Sequence, residues 1–199
     1  MAIGAARSVC RDAPQRGRIR HWLNAHGRRG HGVHSPYLYA MCRAVFTPRR
    51  RRPDWVDEKM PRGLWRVACE ASRLCEWSGA AKLMVPNGWA VNGAERIEVV
   101  GGRVCELIEA GEIGRRERWV VVMPVEEWMR LPESAWRTLV HYFDEGSWFM
   151  LMDVRDDEAS WQRWRWFSES PVFSVSVDRW RYGMVVYRAG MPRYSFGVR

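Results

Sequence analysis

Two uninterrupted apolar runs in the second half of the chain most constrain its fold. They cover Trp119 to Met123 and Trp148 to Met152. Neither run alternates with polar residues, so both faces of each segment are expected to be buried, as in a sheet that carries helices on both sides. Each run has the length of a strand and is too short to cross a membrane. Because a helical pattern over Glu133 to Phe143 lies between them, the order strand–helix–strand predicts a parallel sheet.

The end of the chain departs from this order. An alternating segment, Val172 to Val177, is followed almost at once by a second apolar segment, Tyr182 to Tyr187. Parallel neighbours need a crossover of a dozen or more residues, so this close pair is predicted to be antiparallel. The remaining predicted strands are 81–85, 97–100 and 194–198, and the remaining predicted helices of this part are 104–108 and 158–167.

Helical patterns precede the sheet region. Ser35 is a favourable N-cap and Pro36 a favourable first helical residue. The apolar side chains that follow share one face, which predicts a helix of about three turns that ends at Thr47. A second amphipathic helix is predicted near Leu64 to Trp77, where Gly79 closes it.

The arginine run Arg49 to Arg52 indicates a linker, because consecutive like charges repel each other and rarely belong to a packed element. We therefore divide the chain into a helical N-terminal arm with an Arg/Pro-rich linker, residues 1–61, and an α/β domain, residues 62–199. The net charge of +9 comes almost entirely from arginine. A basic arm permits a protein or nucleic-acid partner, although a preference for arginine also arises from genome composition alone.

Five dispersed cysteines without a C-x-x-C pair suit reduced thiols in a cytoplasmic protein, where they serve as small buried hydrophobic residues. The N-terminus has no long apolar segment of the kind found in secretory signals. The sequence therefore predicts a cytoplasmic protein without a membrane span.

Three stretches, His31 to Tyr37, Glu145 to Phe167 and Val175 to Arg188, carry a family resemblance. The first is similar to the HG(I/V)HSP(F/Y) signature of Bacteroidetes-type class I S-adenosylmethionine (SAM) methyltransferase-like proteins. The second resembles the fifth strand and following helix of that family, and the third its final hairpin. The resemblance implies a Rossmann-like three-layer sheet that ends in an antiparallel hairpin. It also implies SAM as the cofactor and an unnamed methyl acceptor.

The cofactor site that the resemblance implies lies at the carboxyl ends of the central strands. The residues that would line it are Asn87, Gly88, Gly101 and Gly102. The family uses an acidic turn, E-x-G-x-x-x-G, because a backbone without side chains must approach the cofactor. Here Pro86 opens the turn and no acid precedes it. Only eleven residues separate Val85 from Ile97, which leaves scarcely any room for a helix and two loops. The predicted sheet is therefore reduced by at least one strand–helix unit.

Asp153 is the candidate catalytic residue, because it is the acid that survives where the family has Asp-Asp-Ile-His after its fifth strand. The polar turn of the family after the fourth strand is replaced by Val122 to Glu126. Methyl transfer that uses a metal or a general base needs carboxylate or imidazole groups at these places. The resemblance thus implies a divergent SAM-dependent methyltransferase-like protein with weakened or lost catalysis. The alternative is a non-enzymatic interaction protein that uses an arginine-rich surface of the same scaffold.

Two further patterns have ordinary structural explanations. Four histidines near the N-terminus do not show the spacing of metal ligands, so no metal site is predicted; they are His21, His26, His31 and His34. The interleaved aromatic residues and arginines of Trp161 to Phe167 could form a stacking surface for single-stranded nucleic acid or an interfacial membrane helix. However, Trp161, Trp164 and Phe167 recur at helical spacing, which favours a helix packed on the sheet.

Overall fold

Within the residues that the structure describes, seven strands form one mixed sheet, and helices accompany it in a mixed α/β architecture. The computed structural model describes residues 35–47, 60–86, 95–99, 117–130, 145–186 and 188–198. The strands are β1 (Lys82–Pro86), β2 (Glu95–Val99), β3 (Trp119–Pro124), β4 (Trp148–Met152), β5 (Val175–Asp178), β6 (Tyr182–Val186) and β7 (Tyr194–Gly197). The α-helices are α1 (Pro36–Met41), α2 (Arg62–Ser78), α3 (Val125–Arg130) and α4 (Glu158–Ser168).

The strand order is β2-β1-β3-β4-β6-β5-β7. Strands β1 to β4 are mutually parallel. Strand β6 runs antiparallel to both β4 and β5, whereas β7 pairs parallel with β5. The predicted parallel sheet and the antiparallel pair at its end are therefore confirmed. Strand β5 begins at Val175 and not at Val172, because the Phe173 N–H donates to the Ser170 carbonyl in a turn, at an N···O distance of 3.2 Å.

Both faces of the central strands are buried, as the uninterrupted apolar runs predict. Helices α1 and α2 pack on one face, together with alternate strand residues such as Val120 and Met150. Helices α3 and α4 pack on the opposite face against the intervening residues, such as Val121 and Phe149. The side chains of a strand alternate between the two faces of a sheet, so a wholly apolar strand can serve both clusters.

The first helix begins as its sequence predicts. The Ser35 hydroxyl accepts a hydrogen bond from the Leu38 N–H at 3.4 Å, and Pro36 occupies the first helical position. After α1 the chain widens into a π-helical turn over Cys42–Phe46. The Arg73 Nε of α2 donates to the Val45 carbonyl at 2.8 Å. This bond satisfies one of the carbonyl groups that the end of the π-helical turn leaves without a helical partner. The predicted helix after Ser35 and the predicted helix near Leu64 to Trp77 are confirmed.

Helix α2 ends where Gly79 takes a left-handed conformation, with φ of 66°. Only glycine adopts this conformation without a steric cost, so its place in the sequence fixes the end of the helix. In the part of the chain given above, no helix is both long enough and apolar enough to cross a membrane. The division at residue 61 stays a prediction, although α1 and α2 contribute to the same apolar cluster.

The cysteines of the described ranges, Cys42, Cys69 and Cys75, are buried free thiols. Burial raises the pKa of Cys42 to about 11 and that of Cys75 to about 12, so both thiols stay protonated and apolar at neutral pH. For these three residues the predicted role as small buried hydrophobic residues is confirmed. The predicted helices 104–108 and 133–143 and the Arg49–Arg52 linker lie outside the described residues, as do Cys10 and Cys105.

Candidate functional site at the carboxyl edge of the sheet

The candidate site lies at the edge where the parallel strands end. The chain passes from β1 outward to β2 and then returns across β1 to reach β3. Such a reversal of strand order leaves a crevice beyond the carboxyl ends of the two strands on either side of it. Both of these strands, β1 and β3, end in proline, at Pro86 and Pro124. Asp153 follows β4, the next strand along the same edge.

Asp153 has an uncommon backbone conformation that the hairpin holds in place. Its φ is 60°, in the left-handed region that non-glycine residues rarely adopt. The Asp153 N–H donates to the carbonyl of Arg181 at 2.8 Å, and its own carbonyl accepts from the Asp156 N–H at 3.1 Å. The loop after β4 is thereby attached to the turn between β5 and β6, and the half-buried carboxyl group is fixed at the edge.

The surroundings of Asp153 favour its protonated form. Burial raises the pKa of Asp153, and the carboxylates of Asp156 and Glu126 raise it further, while the guanidinium of Arg181 lowers it in part. The pKa of Asp156 is also raised, first by burial and then by Asp157 and Glu126. A carboxylate with a raised pKa is a stronger base than an ordinary aspartate, which is the property required of a general base.

Replacement of Asp153 by asparagine should stabilise the protein increasingly as the pH rises. Asparagine tolerates the left-handed conformation and carries no charge. Below the ordinary aspartate pKa of 3.8, the carboxyl is protonated in both the folded and the unfolded chain, so ionisation contributes no difference. Above 3.8 the raised folded pKa makes the wild type lose stability progressively. At pH 7 we expect the variant to unfold at a higher urea concentration than the wild type.

Asp157 provides a control of the opposite sign. It is the N-cap of α4, and its Oδ1 accepts from the Ser160 N–H at 2.7 Å. This backbone hydrogen bond, followed by that from the Ser160 side chain, lowers the pKa of Asp157. The Asp157→Asn variant should therefore lose stability relative to the wild type as the pH rises towards 3.8, and the difference should stay constant above that pH. A change of the same sign in the two variants at neutral pH would contradict the electrostatic account of Asp153.

Arg155, two residues after Asp153, contacts both α4 and the turn between β5 and β6. Its guanidinium carbon lies 3.9 Å from the ring centre of Trp161 and 4.6 Å from that of Trp180. Its NH2 also forms an ion pair with Asp178 Oδ2. Trp180 has a φ of 69°, and its N–H donates to Asp178 Oδ1 at 2.9 Å. The side chain of Arg155, close to Asp153 in the chain, therefore links helix α4 to the turn between β5 and β6.

A buried polar cluster lies beneath the hairpin on the face covered by α2; we name it the buried triad (Glu70, Arg179 and Tyr182). Arg179 NH2 donates to Glu70 Oε1 at 2.9 Å, and the Tyr182 hydroxyl donates to Glu70 Oε2. The side chains of Arg179 and Glu70 are only 6% and 4% exposed. Burial opposes the charge of Arg179, but Tyr182 and Glu70 outweigh it and raise its pKa. Burial, then Glu70, raises the pKa of Tyr182. The cluster therefore holds a charged arginine and a neutral tyrosine.

The structure locates one of the five predicted site residues. Asp153 lies at the carboxyl edge, where the sequence places it. The predicted cofactor residues Asn87, Gly88, Gly101 and Gly102 lie outside the described residues, as do all the histidines. Among the residues that are described, no group of three or more histidine, cysteine, aspartate or glutamate side chains could hold a metal ion.

The aromatic stripe of α4 belongs to the core. Trp164 is 3% exposed and Phe167 is fully buried, and Phe167 packs against Trp128 of α3 with ring centres 4.6 Å apart. The preference for a helix packed on the sheet is therefore confirmed for these residues. Sequence reasoning missed Arg155 and the buried triad. A signal for the triad was present, because Glu70 lies on the apolar face of α2 between Val67 and Leu74.

Comparison of the chain with protein-family models, with curated proteins and with solved structures gave no match.

Proposed function

We propose that this protein is a divergent class I SAM-dependent methyltransferase-like protein in which catalysis is weakened or lost. The observation that carries the proposal is the sheet: four parallel strands, a reversal of strand order between β1 and β3, and an antiparallel hairpin inserted beside β4. This is the plan of the family that the sequence resembles, and Asp153 stands at the carboxyl edge where that family keeps an acid.

The described part of the edge fits the cofactor poorly. Pro86, the last residue of β1, has no N–H to offer a ligand. The connection from β1 to β2 contains eight residues, 87–94, which is shorter than the crossover of a dozen or more that parallel neighbours usually have. We therefore derive no catalytic step through the cofactor and expect weak binding. Asp153 could still accept a proton from a methyl acceptor, because its pKa is raised.

Isothermal titration of the full chain with S-adenosylhomocysteine tests the proposal. We expect saturable binding with a dissociation constant on the order of 0.1–1 mM, which corresponds to about 4–5.5 kcal/mol. ATP, which carries adenosine without the amino-acid thioether, should bind the same edge more weakly. Gly88→Val should abolish S-adenosylhomocysteine binding, because a side chain there would prevent close approach of the backbone.

Absence of any saturable S-adenosylhomocysteine signal at 5 mM, roughly five times the weakest expected dissociation constant, would overturn the proposal. Binding that Gly88→Val leaves unchanged would also contradict it. The alternative of a non-enzymatic interaction protein that works through the arginine-rich arm stays a prediction, since Arg49–Arg52 lie outside the described residues.

A further inference from the structure

A cavity of about 280 Å³ opens at the opposite edge of the sheet, where the parallel strands begin. Arg118 immediately precedes β3 and Glu145 lies just before β4, so this amino-edge cavity is a full strand length away from Asp153. The residues that line it and matter here are Tyr37, Trp77, Ser78, Arg118, Glu145 and Arg188.

Arg118 is held in place by backbone acceptors and keeps donors free. Its Nε donates to the Glu145 carbonyl at 3.2 Å, and its NH1 donates to the Ser78 carbonyl at 3.2 Å. Two of its N–H groups are thereby used for positioning. A guanidinium carries about five N–H donors, so the remaining ones are available to a ligand.

Arg188 is positioned by an aromatic ring. Its guanidinium carbon lies 3.9 Å from the ring centre of Tyr37, which is within the range of a cation–π contact. Within the described part of the chain, neither Arg188 nor Arg118 has a carboxylate at ion-pair distance. Glu145, the one carboxylate among the described lining residues, accepts a hydrogen bond from the Ala189 N–H at 3.0 Å. Two guanidinium groups against one carboxylate leave the cavity positive.

The other wall of the cavity is aromatic. The rings of Tyr37 and Trp77 pack together with their centres 4.8 Å apart, and Trp77 in turn contacts the buried Trp148 at 6.4 Å. Both cavity rings are half-buried and so present part of their surface to the opening. Ligand cavities usually measure about 300–1,000 Å³, so a cavity of 280 Å³ suits one small ligand.

We propose that the amino-edge cavity binds a phosphomonoester that carries one heterocyclic base, that is, a nucleoside monophosphate group. Two guanidinium groups that line one cavity suit a doubly charged phosphate, which has several acceptor oxygens. The half-buried aromatic rings provide an apolar surface for the base. The group is either a free mononucleotide or the phosphorylated end of a nucleic-acid strand. This inference does not depend on the methyltransferase proposal, because it concerns the other edge of the sheet.

Titration calorimetry of the full chain with AMP, adenosine and inorganic phosphate tests the chemistry. AMP should bind at least about tenfold more tightly than either fragment, since each supplies only one of the two kinds of contact. An excess of S-adenosylhomocysteine should not displace AMP. A 5′-phosphorylated oligonucleotide that binds more tightly than AMP identifies a strand end as the ligand, whereas exclusion of the oligonucleotide with retained AMP binding identifies the free nucleotide.

Charge variants locate the site. Arg188→Gln should weaken AMP binding about tenfold or more, because a charge-assisted hydrogen bond is lost. Arg188→Lys retains the positive charge beside Tyr37, so its affinity for AMP should lie between those of the wild type and Arg188→Gln. The lysine variant therefore still tests the site if the glutamine variant does not fold. Arg165→Gln, with the same charge change on the exposed face of α4, should bind AMP like the wild type. Equal affinities for AMP and adenosine, no AMP binding at millimolar concentration, or unchanged binding by Arg188→Gln would each overturn the inference.

Discussion

Replacement of Glu70 by glutamine should lower the free energy of unfolding by about 3–5 kcal/mol, because it leaves the Arg179 guanidinium buried without its counter-charge. The side chain of Arg179 is 6% exposed, so water cannot substitute for the lost carboxylate. Folded domains are typically stable by about 5–15 kcal/mol. The variant should therefore unfold at a markedly lower urea concentration, as followed by circular dichroism of the full chain.

Two comparisons separate charge loss from other effects at this position. Glu76→Gln makes the same change on the exposed side of α2 and should stay within about 0.5 kcal/mol of the wild type. The double variant Glu70→Met with Arg179→Met removes both charges and should recover much of the loss, since a buried pair can often be replaced by apolar groups of similar size. An unchanged unfolding midpoint for Glu70→Gln would show that the buried triad does not hold a charged arginine.

A single methyl group added at Gly183 should destabilise the protein by about 3 kcal/mol, at the upper end of what overpacking costs. Gly183 lies in β6, paired with Leu151 of β4. A Cβ atom there would lie well inside the van der Waals contact distance of three atoms of the Trp164 indole. Since Trp164 is 3% exposed, the ring has no open space into which it can move. Thermal unfolding of Gly183→Ala should show a midpoint lower by roughly 6–12 °C, at 2–4 °C per kcal/mol for a chain of this size.

The partner of this contact supplies the decisive control. If steric conflict with the indole causes the loss, Gly183→Ala should cost much less in a Trp164→Leu background than in the wild type, although Trp164→Leu itself destabilises the core. Ser195→Ala, on an exposed position of β7, should have little effect. Additive losses in the double variant would mean that the glycine is required for another reason.

The local sequence was sufficient to predict the strands that are apolar on both faces. The runs ending at Met123 and Met152 identify β3 and β4, because burial of both faces leaves no polar position to interrupt them. The rule on crossover length also predicted the antiparallel pair β5 and β6. That rule does not extend to β1 and β2, which are parallel with eight residues between them. A five-residue strand is about 17 Å long and eight residues can reach up to roughly 26 Å, so that number of residues is sufficient to connect two parallel neighbours.

The candidate site depends more on distant contacts than on local pattern. The position of Asp153 followed from the family resemblance, but its left-handed conformation depends on a hydrogen bond to Arg181, which lies on another element of the chain. The contacts of Arg155 with Trp161, Trp180 and Asp178 likewise join α4 to the hairpin turn. Helix α3 was not predicted, because Val125 to Arg130 is too short to show a clear helical period. Neighbouring residues carry no signal for such long-range pairs.

The buried triad also affects how the protein reaches its folded state during synthesis. Glu70 is separated from Arg179 by 109 positions and from Tyr182 by 112. A ribosome therefore completes α2 and the parallel strands well before the residue that neutralises the Glu70 carboxylate exists. Until then the inner face of α2 carries an uncompensated charge and cannot close on the sheet without a penalty. The apolar face of α2 in the nascent chain should consequently stay exposed to chaperones until β5 and β6 have been synthesised. We expect the packing of α2 on the sheet to form late in folding, because it depends on contacts between residues far apart in the sequence.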